Sequence, residues 1–285
     1  MFTVYYLLLV AAAILFSVQF VFNQQFQIRQ GADADSALTF SVYAYFCMAV
    51  LMVLLNRFRL HFSWITLAIA GAYAVTLVVF SFSSVKAFAS VSLSFYSLFS
   101  MLGGMLLPFL YGLVFCGEPL TVGKAVGCGL VLVALLLTLR QPSFSLSGLI
   151  CCLICFVCNG MVGVFSKMHQ IYMPAVDNGS FLTLTYLLAA ALAFVILSFR
   201  RRIGALRIRG ISVVFTAGYA LCSGTAGLLS LIALQNVPAS VQYPFITGGV
   251  IVLSAVVGWL QKEKLTVRGV LSVAVALAAS IIVIL

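Results

Sequence analysis

Hydrophobic residues along this chain gather into ten long runs that are separated by short polar breaks. Each run has about 20 mostly apolar residues, which is the length that an α-helix needs to cross a bilayer. We therefore predict ten membrane helices joined by short connections. The predicted helices are 4–25, 36–56, 62–83, 88–115, 121–139, 145–167, 179–199, 211–234, 239–261 and 266–285.

Two motifs recur in the two halves at an offset of 145 residues. A glycine pair begins at Gly103 and again at Gly248, and a Glu-x-Leu-Thr-Val break begins at Glu118 and again at Glu263. Five helices per half is an odd number, so the second half would enter the membrane upside down. The predicted fold is an all-α integral membrane protein with ten transmembrane helices as two inverted five-helix repeats, residues 1–142 and 143–285.

The composition also indicates a membrane protein. Hydrophobic residues make up 64% of the chain and charged residues 7%, with a mean hydropathy of +1.24. A soluble domain has roughly 25% charged residues. The net charge of +10 is therefore no sign of nucleic-acid binding. We expect a multi-pass protein of the plasma (inner) membrane, a monomer or homodimer, with the lipid bilayer as its surroundings.

Basic residues suggest an orientation. Five arginines lie between positions 200 and 209, and the connections on that side hold eleven basic residues against four on the other. Cytoplasmic loops carry the excess of Lys and Arg. The 200–209 connection is therefore predicted to be cytoplasmic and both chain ends to lie outside.

Four of the eight cysteines form a stripe on the sixth run, at Cys151, Cys152, Cys155 and Cys158. Their spacing is compatible with binding of a soft metal, or with the use of cysteine as a small apolar residue in helix packing. We favour packing, because no further His or Cys pair follows at metal-ligand spacing. No metal and no cofactor are expected.

The motifs of each half resemble the EamA domain of the drug/metabolite transporter superfamily, in its ten-helix duplicated form. The resemblance covers nearly the whole chain and rests on five hydrophobic segments per half, on the motifs at Gly117–Thr121 and Lys262–Thr266, and on Pro244 in the fourth segment of the second half. In the first half Phe99 aligns with that proline, and Pro108 follows later. The resemblance implies a substrate carrier, with export more frequent than import, and names no substrate.

The fifth and ninth helices carry helix-packing signals. Gly123 and Gly127 form a G-x-x-x-G on the fifth helix, which predicts close packing against the alanine-rich tenth. Pro244 and the Gly248-Gly249 pair are expected to weaken or kink the ninth helix.

Acidic residues are absent from the interior of the predicted spans. An organic cation at the bilayer midplane would lack a fixed counter-charge, which is costly. This argues against an obligate proton/cation exchanger and leaves neutral, zwitterionic or anionic metabolites.

Polar and aromatic residues within the spans are the candidate substrate-binding residues, because unpaired polar groups in lipid are costly. We expect one central cavity lined by the first, fourth, sixth and ninth helices. Other interpretations stay open: hydrogen bonds between helices, aromatic anchors at the interface, and a snorkelling lysine at 167. The candidates are Gln19, Asn23, Gln24, Tyr43, Tyr96, Asn159, Lys167, Tyr219, Gln242 and Tyr243.

The function that this pattern favours is secondary transport of a small organic metabolite or drug-like solute by alternating access, with export favoured. A translocase of an anionic lipid-linked or phosphorylated sugar is an alternative, which would use Lys86 and Lys167. A membrane-embedded enzyme or assembly factor is less favoured, because catalysis needs clustered acids, histidines or metal ligands and the chain has only His61 and His169. We expect no enzyme activity.

Overall fold

The chain folds into ten helices joined by short connections. The computed structural model describes residues 2–31, 33–117, 121–139, 146–200, 208, 210–260 and 267–284, and these parts contain no strand. The helices are α1 (Phe2–Gln30), α2 (Ala34–Leu55), α3 (Trp64–Phe88), α4 (Leu93–Phe115), α5 (Val122–Leu139), α6 (Leu146–Tyr172), α7 (Asn178–Phe199), α8 (Gly210–Leu234), α9 (Ala239–Leu260) and α10 (Val267–Ile284).

Eight of these helices, α1 to α4 and α6 to α9, are long and apolar enough in their described parts to cross a membrane. The apolar stretches found in α5 and α10 are shorter, Ala125–Ala134 and Gly269–Ile282. The chain is thus a multi-pass integral membrane protein that sits in a lipid bilayer. Glu118, Glu263 and most of the basic 200–209 connection lie outside the described residues.

Four helix ends differ from the predicted runs by five residues. α1 continues to Gln30, α3 to Phe88 and α6 to Tyr172, beyond the polar residues at which the runs stop. A helix satisfies its backbone hydrogen bonds internally, so polar side chains do not end it. α4 begins at Leu93, because the Ser92 side chain caps it and accepts from the Phe95 amide at 3.3 Å.

α2 and α7 begin with the same cap. Asp33 precedes α2, and its carboxylate accepts from the Asp35 and Ser36 amides at 3.2 Å each and from the Ser36 hydroxyl at 2.5 Å. Asp177 precedes α7, and it accepts from the Ser180 amide and hydroxyl at 2.7 Å each. Both helices thereby satisfy amides that have no partner within the helix.

α4 and α6 cross at very short range. A Cβ placed on Gly103 would lie 1.9 Å from the carbonyl oxygen of Phe156 on α6, so a residue with a side chain at this position would force the two helices apart.

Pro244 does not interrupt α9, which runs as one helix from Ala239 to Leu260. A proline removes a single backbone donor, and the rest of the helix retains its hydrogen bonds.

Buried apolar residues form two clusters. The first is centred on α4 and includes side chains of α1, α6, α9 and α10, with Cys152, Cys155 and Cys158 among them. The second joins α2 and α7 with α3 and α8. Among the described residues no group of three or more His, Cys, Asp or Glu could hold a metal ion. Because Cys152, Cys155 and Cys158 are buried within the first cluster, these three cysteines of the stripe are part of the packed interior.

α5 and α10 pack against each other, as predicted from the glycine and alanine patterns. Gly127 is buried on α5, whereas Gly129 is exposed and has open space where a side chain would be. The prediction that the fifth and tenth helices are neighbours is confirmed.

Candidate functional site

A cavity of about 100 Å³ lies between helices of both halves of the chain. Its wall is built from α1, α3, α4, α6, α7, α8 and α9, which adds three helices to the four predicted. The polar members of the wall are Gln19, Asn159, Ser166, Ser230, Gln242 and Thr247, and the aromatic members are Phe16, Tyr73 and Tyr243.

Asn159 occupies its place in the wall because α4 has a glycine opposite it. Its Nδ2 donates to the carbonyl oxygen of Ser100 on α4 at 2.8 Å. A Cβ on Gly104 would lie 2.6 Å from the same nitrogen. The glycine thus leaves room for the amide, and the amide ties α6 to α4.

Three side chains of α9 tie this helix to three of its neighbours around the cavity. The Gln242 Nε2 donates to a carbonyl of α8 at 2.8 Å, and the Tyr243 hydroxyl donates to the Gly163 carbonyl of α6 at 3.0 Å. The Thr247 hydroxyl donates to a carbonyl of α4 at 3.3 Å. α9 therefore contributes polar groups to the cavity and holds the surrounding helices together.

Three acceptor-capable oxygens in the wall have no hydrogen-bond partner in the described part of the chain. They are Gln19 Oε1, Gln242 Oε1 and Ser230 Oγ. Gln19 is 5% exposed and Gln242 is 1% exposed. The orientation of the Gln242 amide is set by its neighbour, because the group that faces the Ser230 carbonyl must be the nitrogen. Each buried unpaired group costs about 1–3 kcal/mol.

Pro108 removes one backbone hydrogen bond from α4 beside the cavity. In a regular helix the amide of residue 108 would donate to the carbonyl of Gly104, but proline has no N–H. Gly104 borders the cavity.

The cavity wall is mostly apolar, with several polar groups and no charged side chain among its described residues. None of the described residues that line it is acidic or basic. Phe16, Tyr73 and Tyr243 supply aromatic surface, which suits a flat, partly apolar ligand. A charged ligand at this depth would find no opposite charge in the described wall.

A second cavity, of about 390 Å³, lies where α6 and α8 end and α9 begins. Lys167, Gln170 and Asn178 are among its polar residues. Gln170 Nε2 donates to the Leu231 carbonyl at 3.0 Å and joins α6 to α8. Leu234 borders both cavities, and its side chain is thus shared by the two walls.

Five of the ten predicted site residues lie in these hollows. Gln19, Asn159, Gln242 and Tyr243 line the central cavity, and Lys167 lines the second. The structure therefore brings together the amides of α1, α6 and α9 that the sequence pattern selected.

The other five predicted residues lie elsewhere. Asn23 is one helical turn beyond Gln19, where α1 meets α3, and its Nδ2 donates to the Ser84 hydroxyl at 3.0 Å. Polar residues in one apolar run thus face different neighbours, which their positions in the sequence do not reveal. Gln24 does not line the central cavity, and neither do the three predicted tyrosines. Tyr43 is 37% exposed. Tyr96 is buried against the Phe88 ring, and Tyr219 is buried against the Phe40 ring.

Sequence reasoning missed Phe16, Tyr73, Gly104 and Ser230 in the wall. Phe16 stands three residues before Gln19, and this spacing places both on one face of a helix. The spacing could therefore have predicted Phe16 as a neighbour of Gln19 in the wall. Tyr73 and Ser230 lie in runs with several similar residues, so only the packing of α3 and α8 selects them.

α2 and α7 are joined by polar contacts at both of their ends. At the start of α2, the Arg200 Nε contacts the Asp35 carboxylate at 3.0 Å. At the other end, the His61 ring nitrogen Nδ1 lies 3.1 Å from Asp177 Oδ2, and the His61 amide donates to the Ser180 hydroxyl at 2.9 Å. The two helices are antiparallel, so these contacts lie at opposite ends of the pair.

The contact at His61 depends on a tight turn after α2. Arg57 and Phe58 take left-handed backbone conformations, with φ of 53° and 60°, which costs of order 1–3 kcal/mol each. Burial raises the pKa of the Asp177 carboxyl, but hydrogen bonds from Ser180 and His61 outweigh it and bring the pKa below its usual value. Asp177 is therefore an ionised partner for this end of the pair.

Comparisons with known proteins identify a similar fold and no family. No family model matches the chain, and no relative was found among curated proteins. Its fold is similar to that of a solved crystal structure described only as that of a protein, with a TM-score of 0.70, 14% identity, and coverage of 98% of this chain and 96% of the other. At that identity the likeness extends to the helical fold over nearly the full length.

Proposed function

We propose that this chain is a secondary transporter that moves a small organic solute across a cell membrane by alternating access. The observation that carries the proposal is the central cavity with polar side chains in its wall, which takes α1, α3 and α4 from one half and α6 to α9 from the other. Transporters with inverted repeats bind their substrates near the midplane, at the interface of the repeats.

The inverted repeat is supported by the way the helices pack. If the two halves are repeats, each helix of the first half corresponds to the helix five places later: α1 to α6, α2 to α7, and likewise up to α5 and α10. The contact of α1 with α8 then becomes that of α6 with α3, and the contact of α1 with α9 becomes that of α6 with α4; all four contacts occur. The pairs α2–α7, α4–α9 and α5–α10 map onto themselves and also occur. A two-fold axis through the bundle requires this pairing.

Ten spans are also compatible with the lengths of α5 and α10. Each has 18 residues, which gives a helix of about 27 Å, close to the ~30 Å of a hydrocarbon core. Because these two helices pack together, we propose that both cross the membrane and complete five spans in each half.

The contacts at the two ends of the α2–α7 pair suggest how access could alternate. One end is held by Asp35 and Arg200, and the other by His61 and Asp177. In the proposed cycle one contact breaks while the other holds, so the central cavity opens to one side at a time. At the His61 end, we propose that the second cavity becomes the path to the central one, since Leu234 borders both.

The sequence resemblance to the EamA domain supports the same function. It favours a carrier of the plasma (inner) membrane that uses the gradient of its substrate, of an exchanged solute or of protons, and it favours export. The neutral wall supports a metabolite or drug-like solute without a permanent charge.

A translocase of anionic, phosphorylated sugars is the second candidate, and Lys167 in the second cavity is the observation in its favour. Lys86 does not support it, because its amine is exposed and lies 4.4 Å from the centroid of the Phe82 ring. A membrane enzyme has less support, since His169 stacks on Phe181 with a centroid distance of 3.9 Å, outside the cavity.

Counterflow in proteoliposomes tests the proposal. Purified protein is reconstituted into vesicles loaded with a mixed metabolite pool, and mass spectrometry records which solutes exchange with isotope-labelled solutes outside. We expect a small set of neutral solutes to exchange faster than in protein-free vesicles. Exchange confined to sugar phosphates would favour the translocase, and chemical conversion of a solute without exchange would contradict transport.

A further inference from the structure

We infer that His169, near the end of α6, binds a proton when the end of the protein at which His61 contacts Asp177 opens, and so couples that opening to the proton concentration on this side. The inference rests on the proposed function, because it takes this end to open and close in the transport cycle. It is carried by the position of a buried, unpaired imidazole directly inside that contact.

His169 is closed off from water in this structure. The residue is 1% exposed, and neither of its ring nitrogens has a hydrogen-bond partner among the residues that the structure describes. One face of the ring stacks on the ring of Phe181, with 3.9 Å between the centroids and 9° between the planes. A neutral imidazole has one N–H donor and one acceptor nitrogen, and both are left unpaired here.

The ring lies about one helical turn inside the polar contact at this end. Asp177 caps α7 and contacts His61, and Phe181 follows four residues later, one turn further into the helix. The Phe181 ring contacts His169 on one helix and Tyr73 on another, and Tyr73 lines the central cavity. Opening of the contact between α2 and α7 is therefore the event that would bring water to His169.

The closed state favours the neutral form of His169. A proton would place a charge on a ring that has no hydrogen-bond partner, and this costs more than the attraction between a cation and the Phe181 face returns. The Asp177 carboxylate interacts electrostatically with the ring. That carboxylate already accepts from Ser180 and is 38% exposed, so its attraction is screened.

The open state removes this restriction. Water can hydrate both ring nitrogens once the end has opened, and the acceptor nitrogen then takes a proton from the solution on that side. A hydrated histidine does so near its ordinary pKa of about 6.5. Acidic solution on this side should therefore stabilise the open state relative to the closed one.

Other titratable and charged side chains surround this position. Histidine is the only residue type among them that ordinarily changes its charge between about pH 5 and about pH 8. A proton on His61 would strengthen its contact with Asp177 and hold the end closed, which is the opposite effect. The groups are Asp177 on α7, Tyr73 on α3, Arg57, Arg59 and His61 in the connection between α2 and α3, and Lys167 on α6 itself.

Thr183→Cys provides a reporter of the opening. Thr183 is fully buried and stands four residues after Gly179, which places the two on one face of α7. A Cβ on Gly179 would lie 2.7 Å from the side chain of Asn56, at the end of α2, so this face packs against α2. A thiol at position 183 therefore reacts with N-ethylmaleimide when α2 and α7 separate.

The experiment measures the labelling rate by mass spectrometry on the purified full chain in detergent, without native cysteines and with His61→Gln to remove the opposing titration. Each rate is divided by that of the same protein with His169→Gln at the same pH, which cancels the pH dependence of the thiol. We expect this ratio to be roughly thirtyfold larger at about pH 5 than at about pH 8.

His169→Phe is a second reference, because it keeps a ring against Phe181 and cannot take a proton. Both references are first checked for a single cooperative melting transition, so that a misfolded variant does not decide the outcome. A ratio that is equal or lower at the acidic pH, against either folded reference, would overturn the inference. The labelling needs no solute, so acid-dependent opening without counterflow would contradict only the proposed transport. Counterflow without acid-dependent opening would contradict only the role of His169.

Discussion

The amide and phenol groups of the central cavity join helices, and they border the space that we propose to hold a solute. Asn159 ties α6 to α4, and Tyr243 ties α9 to α6. A helix-to-helix hydrogen bond in a membrane is worth about 0.6–2 kcal/mol. Because Asn159 and Tyr243 also line the cavity, we expect substitutions that cost no more stability than this to change transport as well.

Asn159→Ala and Tyr243→Phe should each lower transport by about five- to thirty-fold, because each removes a polar contact worth about 1–2 kcal/mol. The measurement is solute exchange in proteoliposomes at equal amounts of reconstituted protein. Asn236→Ala and Tyr43→Phe are the matched controls, since both residues are exposed. Wild-type exchange in both cavity variants would assign these residues to packing alone.

The sequence predicted those cavity residues that are polar and lie within an apolar run. Gln19, Asn159 and Gln242 stand out because each is an amide inside an apolar run. Asn23 stands out equally, yet it binds Ser84 on α3. Polarity identifies a buried group that needs a partner, and only the packing decides whether the partner is a protein group or a ligand.

At the scale of helices, the caps of α2 and α7 supply a pH-dependent contribution to stability. The pKa of Asp177 lies below its ordinary value of 3.8. Because the pKa of Asp177 is lower in the folded state than in the unfolded state, its carboxylate stabilises the fold fully above the unfolded-state pKa. This contribution is lost as the pH falls through the folded-state pKa. Its loss should be confined to acidic conditions below about pH 3.8.

Asp177→Ala should lower the stability of the protein by about 1 kcal/mol near neutral pH, as expected for the loss of an N-cap. Thermal unfolding in detergent at about pH 7 and about pH 3 measures the change. The gap between the variant and the wild type should narrow at the lower pH. A gap of the same size at both pH values would mean that the carboxylate charge contributes nothing.

The α5–α10 contact gives a second test at this scale. Gly127→Leu places a side chain in a buried contact and should destabilise the protein by about 1–3 kcal/mol. Gly129→Leu is the control, because it lies on the same helix with open space around it. Equal melting temperatures for the two variants would show that Gly127 does not face α10.

Helix positions were predictable to within a few residues in most cases, because long apolar runs are strong signals. The ends of α1, α3 and α6 were not, since polar residues near these ends interrupt the apolar pattern without ending the helix. α4 was predicted to start too early, because the Ser92 cap lies within a run of serines of similar polarity.

For the whole molecule, the excess of basic residues in the 200–209 connection predicts that this side faces the cytoplasm. Single cysteines at Ile208 and at Phe58, in a background without native cysteines, would report on the two ends. An impermeant thiol reagent added to intact cells should label the Phe58 site, which is 73% exposed, and not the Ile208 site. The reverse labelling would invert the orientation.

The repeat was visible in the sequence as two glycine pairs and two Glu-x-Leu-Thr-Val breaks. The repeated motifs did not predict which helices of the two halves pack together, such as α1 with α8 or α2 with α7. These contacts join residues far apart in the chain, and they depend on the shapes of many small side chains at once.

Alternating access through the α2–α7 pair is the central claim, and reversible cross-linking tests it most directly. Cysteine pairs replace Asp35 and Arg200 in one variant, and His61 and Asp177 in the other, in a background without native cysteines. A short bis-methanethiosulfonate cross-linker then joins each pair. We predict that either cross-link reduces solute exchange in proteoliposomes to the protein-free rate, and that a reductant restores it, because each end must open once in every cycle. Exchange at the uncross-linked rate, with either pair fully cross-linked, would contradict the claim.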